Sequence, residues 1–188
     1  MKKHTAVFLD RDGTINEEVG YLGDLEKLNI YPNSFEAIRL INESGMKAVV
    51  ISNQSGVARG YFSEDFVNTV HSRINETLQE NGARIDRFYF CPHHPTEGKG
   101  HYLKSCDCRK PKTGMLIKAS EELNIDLFRS YMVGDAAKDI ELANRSGVMG
   151  ILVKTGYGKN VISSDVEPSY IAEDILDAVN WIMKDRKK

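Results

Sequence analysis

The pattern of hydrophobic and polar residues along the chain predicts short strands that alternate with amphipathic helices. Runs rich in β-branched and aromatic residues predict six strands, at residues 5–9, 47–52, 87–90, 130–133, 150–153 and 170–171. The run Ala48-Val49-Val50-Ile51 is apolar on both faces, which is typical of a parallel strand covered by helices on both sides.

Helical periodicity predicts five helices between these strands, at residues 34–43, 63 to about 82, 113–123, 137–145 and 173–183. We expect Ser63 to begin the second helix and Gly45 to end the first. This alternation predicts an α/β fold, a Rossmann-like parallel sheet flanked by helices, with right-handed crossovers. Ligands of such sheets bind beyond the carboxyl ends of the strands.

Composition and charge narrow the class of protein. A chain of 188 residues that is 41% hydrophobic fits a single domain, residues 1–188. The net charge of −2 does not indicate a nucleic-acid-binding surface. The basic run at 184–188 is interpreted as a solvated tail. No apolar stretch approaches a membrane span or a signal peptide. We therefore expect a cytoplasmic monomer with neither nucleic-acid nor membrane partners.

The most informative stretch is Asp10-Arg11-Asp12-Gly13-Thr14, directly after the first predicted strand. Residues two apart in an extended segment point to the same face, so Asp10 and Asp12 converge just beyond the strand. Two like charges held together are costly unless a cation or a proton neutralises one of them. This cost favours a functional site over the alternative, an ordinary strand-ending turn, in which Asp and Gly are also common.

Three further motifs follow predicted strands or the long irregular segment. They are Ser52-Asn53-Gln54-Ser55, Arg109-Lys110-Pro111, and Gly134-Asp135 with Asp139 four residues on. Each alone is an ordinary turn, surface lysine or helix cap. Together they supply the groups that phosphoryl transfer needs: a carboxylate nucleophile, a second carboxylic acid, a hydroxyl and a lysine, and acidic ligands for Mg²⁺.

These four motifs, in this order, resemble those of the haloacid dehalogenase-like (HAD) phosphatases along essentially the whole chain. The resemblance implies that Asp10 is the nucleophile and that Asp12 is the general acid and then the base. Ser52 and Lys110 would stabilise the phosphoryl group. Asp10, Asp135 and the backbone carbonyl of Asp12 would bind Mg²⁺. Asp139 would support these ligands without contacting the ion itself. We expect the charge beside Asp12 to raise its pKa, so that it can donate a proton.

All three cysteines lie in one irregular segment, which residues 91–110 delimit. Cys91-Pro92-His93 and Cys106-Asp107-Cys108 place two pairs of soft ligands together, as in a closed tetrahedral zinc site. His94 could replace His93, although the matching i, i+2 spacing of the two pairs favours His93. The alternative is a set of free thiols and surface histidines. We predict that Cys91, His93, Cys106 and Cys108 hold a structural Zn²⁺.

The segments Cys-Pro-His-His-Pro and Cys-Asp-Cys-Arg-Lys-Pro resemble the D-glycero-D-manno-heptose 1,7-bisphosphate 7-phosphatases within that superfamily. Histidinol-phosphate phosphatases form a sister group with a similar zinc loop. The resemblance implies a capless enzyme that removes the 7-phosphate of the heptose bisphosphate for the synthesis of nucleotide-activated heptose. The alternatives are histidinol phosphate or another small phosphate ester as the substrate.

The same resemblance implies which residues bind the sugar. Glu18, Val19, Gly20 and Tyr21 would form a loop over it, and Asn53, Gln54, Ser55 and Arg109 would contact its hydroxyls or the phosphate that is not cleaved. A planar guanidinium suits a bidentate grip on phosphate, although Arg109 could instead form a salt bridge within its loop. Ala136 departs from the relatives, which often carry a lysine there, and Arg59 could face either the pocket or the solvent.

Overall fold

Six parallel strands form the centre of the protein, as the sequence predicts. The computed structural model describes residues 3–161 and 166–187; the first two residues and the last lysine of the basic C-terminal run lie outside these ranges. The strands are β1 (Ala6–Leu9), β2 (Lys47–Asn53), β3 (Arg87–Cys91), β4 (Tyr131–Gly134), β5 (Met149–Val153) and β6 (Tyr170–Ala172). Their order in the sheet is β3-β2-β1-β4-β5-β6, and every neighbouring pair is parallel.

Seven helices accompany the sheet within the described ranges. They are α1 (Pro32–Glu43), α2 (Gly56–Arg59), α3 (Glu64–Glu80), α4 (Gly114–Glu122), α5 (Ala137–Ser146), α6 (Gly158–Val161) and α7 (Ile175–Asp185). The five longer helices confirm the sequence prediction. Helices α2 and α6 were not predicted, because four residues are too few to show a periodic hydrophobic stripe. Ser63 caps α3 by accepting a 3.1 Å hydrogen bond from the Phe66 amide, as expected.

The sheet is buried on both faces, which explains why the interior of its central strands is apolar. Alternate side chains of β1 enter two different hydrophobic clusters: Val7 and Leu9 pack on one face, and Ala6 and Phe8 pack on the other. Helices α1, α3 and α7 cover the first face, and α4 and α5 cover the second. Strand β1 therefore lies at the centre of the fold and holds its own carboxyl end in a fixed position.

This topology brings the predicted motifs to one edge of the sheet. Strand β1 pairs with β2 on one side and with β4 on the other, so the segments after these three strands emerge side by side. The segment between β3 and α4 is irregular apart from one short 3-10 helix, Gly100–Tyr102, and it contains the three cysteines. Within the described ranges, no helix is both long enough and apolar enough to cross a membrane.

Ser130 joins the starts of two central strands, and we expect its replacement to destabilise the fold. Its hydroxyl is fully buried, donates to the carbonyl of Asp126 at 2.6 Å and accepts from the Ala6 amide at 3.0 Å. Ser130→Ala leaves that buried amide without its partner, so the free energy of unfolding should fall by about 1–3 kcal/mol in chemical denaturation. The control is Ser120→Ala on α4, where the half-buried hydroxyl donates only within its own helix, and it should change the free energy of unfolding by less than about 0.5 kcal/mol. Equal effects of the two variants would contradict this assignment.

Candidate active site

Lys110 is the centre of the group of side chains at the carboxyl edge of the sheet. Its ammonium is completely buried and lies 2.9 Å from Asp10 Oδ1 and 2.8 Å from Asp139 Oδ1. It also donates to the carbonyl of Ile51 at 2.9 Å. Burial alone would lower the pKa of Lys110, but the two carboxylates outweigh burial and raise it. Lys110 therefore stays charged beside Asp10.

Three buried carboxylates, Asp10, Asp135 and Asp139, converge at the same point, with oxygen atoms that lie within 4.8 Å of one another. Burial, followed by the charge of Asp10, raises the pKa of Asp135 to about 7. Burial also raises the pKa of Asp139 to about 6, although Lys110 opposes the shift. Such crowding of like charges is what a divalent cation would relieve, and carboxylate oxygens are the ligands that Mg²⁺ prefers.

Glycines make room for this acidic cluster. A Cβ atom added at Gly13 or at Gly156 would lie 2.1 Å from Asp135 Oδ2, and both glycines have positive φ angles of 78° and 53°. The other constraint on Asp135 is a 2.8 Å hydrogen bond that its Oδ2 accepts from the Tyr157 amide. The residues present therefore fit a Mg²⁺ ion held by Asp10 and Asp135. Asp139 is engaged by Lys110 and by the Ala136 amide, at 3.1 Å.

Asp12 is held by a polar network that differs from the sequence-based expectation. Arg11, itself buried, donates to both carboxylate oxygens at 2.8–3.1 Å. Asn16 and Gln54 each donate a further hydrogen bond at 2.9 Å. Burial would raise the pKa of Asp12, but the charge and hydrogen bonds of Arg11, with those of Asn16 and Gln54, outweigh it and lower the pKa. The expectation of a raised pKa was wrong for this arrangement, because it did not include the guanidinium next in sequence.

The polar side chains at the carboxyl end of β2 and directly after it form hydrogen bonds with other protein groups. Asn53 forms a reciprocal pair with the backbone of Lys110: its amide donates to the carbonyl, and its oxygen accepts from the N–H, both at 3.0 Å. Gln54 donates to Ser52 Oγ at 2.7 Å and accepts from Arg11 at 3.1 Å. The sequence interpretation assigned Asn53 and Gln54 to the sugar. In the structure their side chains contact Lys110, Ser52 and Asp12, and both residues also line the cleft, so their contact with the sugar stays a prediction.

The predicted soft ligands Cys91, His93, Cys106 and Cys108 come together beside this site. Their sulfur and Nδ1 atoms are 3.1–3.8 Å apart in the contacts that join them, close to the edges of a zinc tetrahedron. Hydrogen bonds from Cys91, opposed by burial, lower the pKa of Cys108 to about 5, which favours a thiolate. His94 is not part of this group, because its Nδ1 accepts a 3.0 Å hydrogen bond from the Glu97 amide.

The cysteine-containing loop is tied to the rest of the site through arginines. Arg109 donates to the carbonyl of His93 at 3.2 Å, while it also lines the cleft above Asp10. Arg59 pairs with Glu97 of the loop and stacks over the ring of Tyr21, with its guanidinium carbon 5.6 Å from the ring centroid. Arg59 therefore connects Tyr21 of the cleft to Glu97 of the cysteine-containing loop, although Arg59 itself is not among the residues that line the cleft.

The cleft collects most of the predicted binding residues. Its lining comprises Asp10, Asp12, Glu18, Gly20, Tyr21, Leu22, Ser52, Asn53, Gln54, Ser55, Gly56, Phe62, Arg109, Asp135, Lys138 and Tyr157. Val19 is exposed and does not line it. Glu18 closes its own loop by accepting from the Gly20 amide at 2.5 Å, and burial together with Asp12 raises the pKa of Glu18.

Sequence reasoning missed three residues of this site. Arg11 lies between the two motif aspartates, but its position alone did not indicate a buried partner for Asp12. Lys138 lies between Asp135 and Asp139, but no sequence motif singled it out. Tyr157 follows β5 with no motif around it, so only the tertiary structure places it in the cleft.

Comparison with known proteins finds relatives across nearly the whole chain. A family model described as HAD-hydrolase-like matches residues 107–178. The chain is 46% identical over 185 residues to the D-glycero-D-manno-heptose-1,7-bisphosphate 7-phosphatase of Thermosynechococcus vestitus, covering 94% of each chain. It is 43% identical over 180 residues to the D-glycero-beta-D-manno-heptose-1,7-bisphosphate 7-phosphatase of Pasteurella multocida, covering 94% of this chain and 95% of the relative.

A solved structure agrees with these sequence relatives. The D,D-heptose 1,7-bisphosphate phosphatase of B. bronchiseptica, crystallised with magnesium and phosphate, superposes with a TM-score of 0.87. The two proteins are 28% identical, and the match covers 96% of this chain and 99% of that one. The HAD-like fold that the sequence predicts is therefore confirmed.

Gly13 offers a test of the space around Asp135. In Gly13→Ala the new Cβ meets Asp135 Oδ2, so we expect Mg²⁺ affinity in isothermal titration calorimetry to fall at least about tenfold, a loss of about 1.4 kcal/mol. The control is Gly45→Ala, which has nearly the same φ angle, 76° against 78°, but no atom within 4 Å of the new Cβ. That control should lose about 1 kcal/mol of stability and keep its Mg²⁺ affinity. Unchanged affinity in a folded Gly13→Ala protein would contradict the assignment.

Proposed function

The chain belongs to the family of D-glycero-D-manno-heptose-1,7-bisphosphate 7-phosphatases, and on that premise we propose that Asp10 attacks the 7-phosphate of this sugar bisphosphate. The family relationship rests on relatives 43–46% identical to nearly the full chain. The observation that carries the assignment of Asp10 is its contact with the buried Lys110 ammonium at the edge of the acidic cluster. The reaction is the hydrolysis of a phosphoric monoester.

The geometry supports a two-step transfer. Asp10 Oδ1 accepts from the Arg11 amide at 2.8 Å and faces Lys110, so the carboxylate is fixed at the centre of the sheet edge. A carboxylate oxygen of Asp10 attacks phosphorus, and the bond from phosphorus to the sugar oxygen breaks. Water then attacks the phosphorus of the aspartyl phosphate, which releases inorganic phosphate and restores Asp10. The buried cation Lys110 would stabilise the negative charge of the phosphoryl group during transfer, and Arg11 stabilises the negative charge of Asp12.

Asp12 handles the proton in both steps. The Arg11 contacts keep Asp12 ionised before substrate enters. A phosphate dianion arriving beside Asp12 adds negative charge, which raises the pKa of Asp12 and opposes the effect of Arg11. With its pKa raised, Asp12 takes up a proton from solvent, donates this proton to the departing sugar oxygen and later accepts one from the attacking water. Its exposure of 21% places it toward the cleft, whereas Arg11 lies behind it.

A Mg²⁺ ion would be held by Asp10, by Asp135 and by the backbone carbonyl of Asp12. When bound, it would neutralise charge that accumulates on the phosphoryl oxygens. Asp139 holds Lys110 and the first turn of α5, so we assign it to positioning. Ser52 would contribute its hydroxyl to the phosphoryl group, with Gln54 orienting that hydroxyl.

The four soft ligands would hold a structural zinc ion, which would also fix the position of the residues that follow Cys108. Cys108 precedes Arg109 and Lys110 directly, so a metal at this cluster fixes the backbone that carries both cations. The loop also forms one wall of the cleft, where a separate cap domain is absent among the described residues. The free thiols suit a reducing compartment, which supports a cytoplasmic location, and we propose that the protein acts there as a monomer.

Replacement of the nucleophile should abolish turnover without unfolding the protein. Asp10→Asn keeps the shape of the side chain but removes the charged attacking oxygen, so phosphate release from the heptose bisphosphate should fall by at least about 10⁴-fold, or about 5.5 kcal/mol. Colorimetric detection of free phosphate measures the rate, and circular dichroism checks the fold. The control, Asp65→Asn on exposed α3, should keep the wild-type rate. Substantial turnover by pure Asp10→Asn protein would refute the proposed mechanism.

Two adjacent histidines allow a matched test of the zinc assignment. His93→Ala removes one of the four converging ligands, so zinc content measured by inductively coupled plasma mass spectrometry should fall well below one ion per chain, with a lower melting temperature. His94→Ala changes the same type of residue one position away, outside the ligand group, and should keep its zinc. If both variants retain a full complement of zinc, or both lose it, the assignment of His93 is wrong.

A further inference from the structure

The cleft has more acidic than basic side chains, although the proposed substrate carries two negatively charged phosphate groups. Four carboxylates line it: Asp10, Asp12, Glu18 and Asp135. Lys110 cannot compensate for a second phosphate, because its ammonium is completely buried and already contacts two carboxylates. Only two cationic side chains are among the residues that line the cleft in the described part of the chain, Arg109 and Lys138. Arg109 is the one that sequence reasoning identified.

Lys138 occupies an unfavourable position for a lysine unless it binds an anion. It lies in the first turn of α5, where the partial positive charge of the helix end disfavours a cation. Its side chain is half-buried, and it forms no ion pair within 4.0 Å among residues 3–161 and 166–187. Lys138 is one of the residues that line the cleft, so its side chain faces the cleft and not only the outer solvent.

The two cations lie on opposite walls. Arg109 is on the cysteine-containing loop, beside the end of β2, and Lys138 is on the helix that follows β4. Strand β1 and its Asp10 lie between these two strands in the sheet. Ala136, near Lys138 in the same turn, offers only a methyl group, so Lys138 is the one amine on this stretch of wall.

Resting on the proposed function, we propose that Lys138 binds the phosphate group of the substrate that is not cleaved and so contributes to the preference for a bisphosphate over a monophosphate. The ammonium is a mobile point charge on a long stem, which can follow a phosphate on a flexible sugar. Its contact with a phosphate oxygen is a charge-assisted hydrogen bond in a partly enclosed cleft. Lys138 is a binding residue in this proposal, and it takes no part in proton transfer.

A different task for Lys138 would be to neutralise the nearby carboxylates without touching the substrate. The two tasks differ in their dependence on the substrate. A neutralising charge affects every phosphate ester and the affinity for Mg²⁺, whereas a contact with the second phosphate affects only substrates that carry one.

The test compares Lys138→Met with the wild type on heptose 1,7-bisphosphate and on heptose 7-phosphate. We expect the KM for the bisphosphate to rise at least about tenfold, the effect of losing one charge-assisted hydrogen bond, with kcat nearly unchanged. The KM for the 7-phosphate and the Mg²⁺ affinity should change by less than about twofold. Lys138→Arg keeps the charge and should recover most of the bisphosphate KM. The matched control is Lys184→Met on exposed α7 surface, which should behave as the wild type.

The variants test the role of Lys138, whereas the activity of the wild type tests the proposed function. Equal losses on both substrates, a weakened Mg²⁺ affinity, or no change on either substrate would overturn the role of Lys138 while the wild type still hydrolyses the bisphosphate. A wild-type protein that leaves the bisphosphate intact would refute the proposed function itself, and the inference with it. A loss confined to the bisphosphate supports both.

Discussion

The buried ammonium of Lys110 is the interaction on which the rest of the site depends. It contacts Asp10 directly after β1, Asp139 on α5 and the carbonyl of Ile51 on β2, so three separate parts of the fold meet at one charge. Asn53 clamps the backbone of the same residue from β2. A buried ion pair is not in itself a large source of stability, but loss of one partner strands the other charges and costs about 3–5 kcal/mol. Lys110 therefore fixes the geometry of the site, and replacement of any of its charged partners is expected to destabilise the fold.

Around this charge the protein keeps its carboxylates in different states. Asp12 is ionised by the bidentate contact with Arg11, whereas burial and the neighbouring Asp10 raise the pKa of Asp135 to about 7. Repulsion between its carboxylates thus destabilises the acidic cluster, and a bound cation would relieve this repulsion. The cysteine-containing loop acts on the same centre from outside, because Cys108 lies two residues before Lys110. Both proposed metal sites therefore act on the position of one lysine, because Asp10 contacts Lys110 and Cys108 lies just before it.

Much of the architecture could be predicted from local pattern. The six strands and five longer helices agree with prediction to within about two residues at most ends, because each carries a continuous apolar run or a helical stripe. The short helices α2 and α6 escaped prediction, since four residues carry no period. The family resemblance also identified the motif aspartates. The roles of individual site residues in catalysis remain predictions that the experiments above address.

The sequence by itself determined the fold class, the order of the motifs and the chemistry they suit, because strand periodicity and the spacing of Asp10 from Asp12 are local properties of the chain. Only the tertiary structure decided which groups touch. It places Asn53 and Gln54 against Lys110 and Asp12, it groups His93 and not His94 with the three cysteines, and it brings Lys138 into the cleft. The reason is physical: burial, charge and hydrogen-bond partners come from residues far apart in sequence, and they set the pKa and the orientation of each side chain.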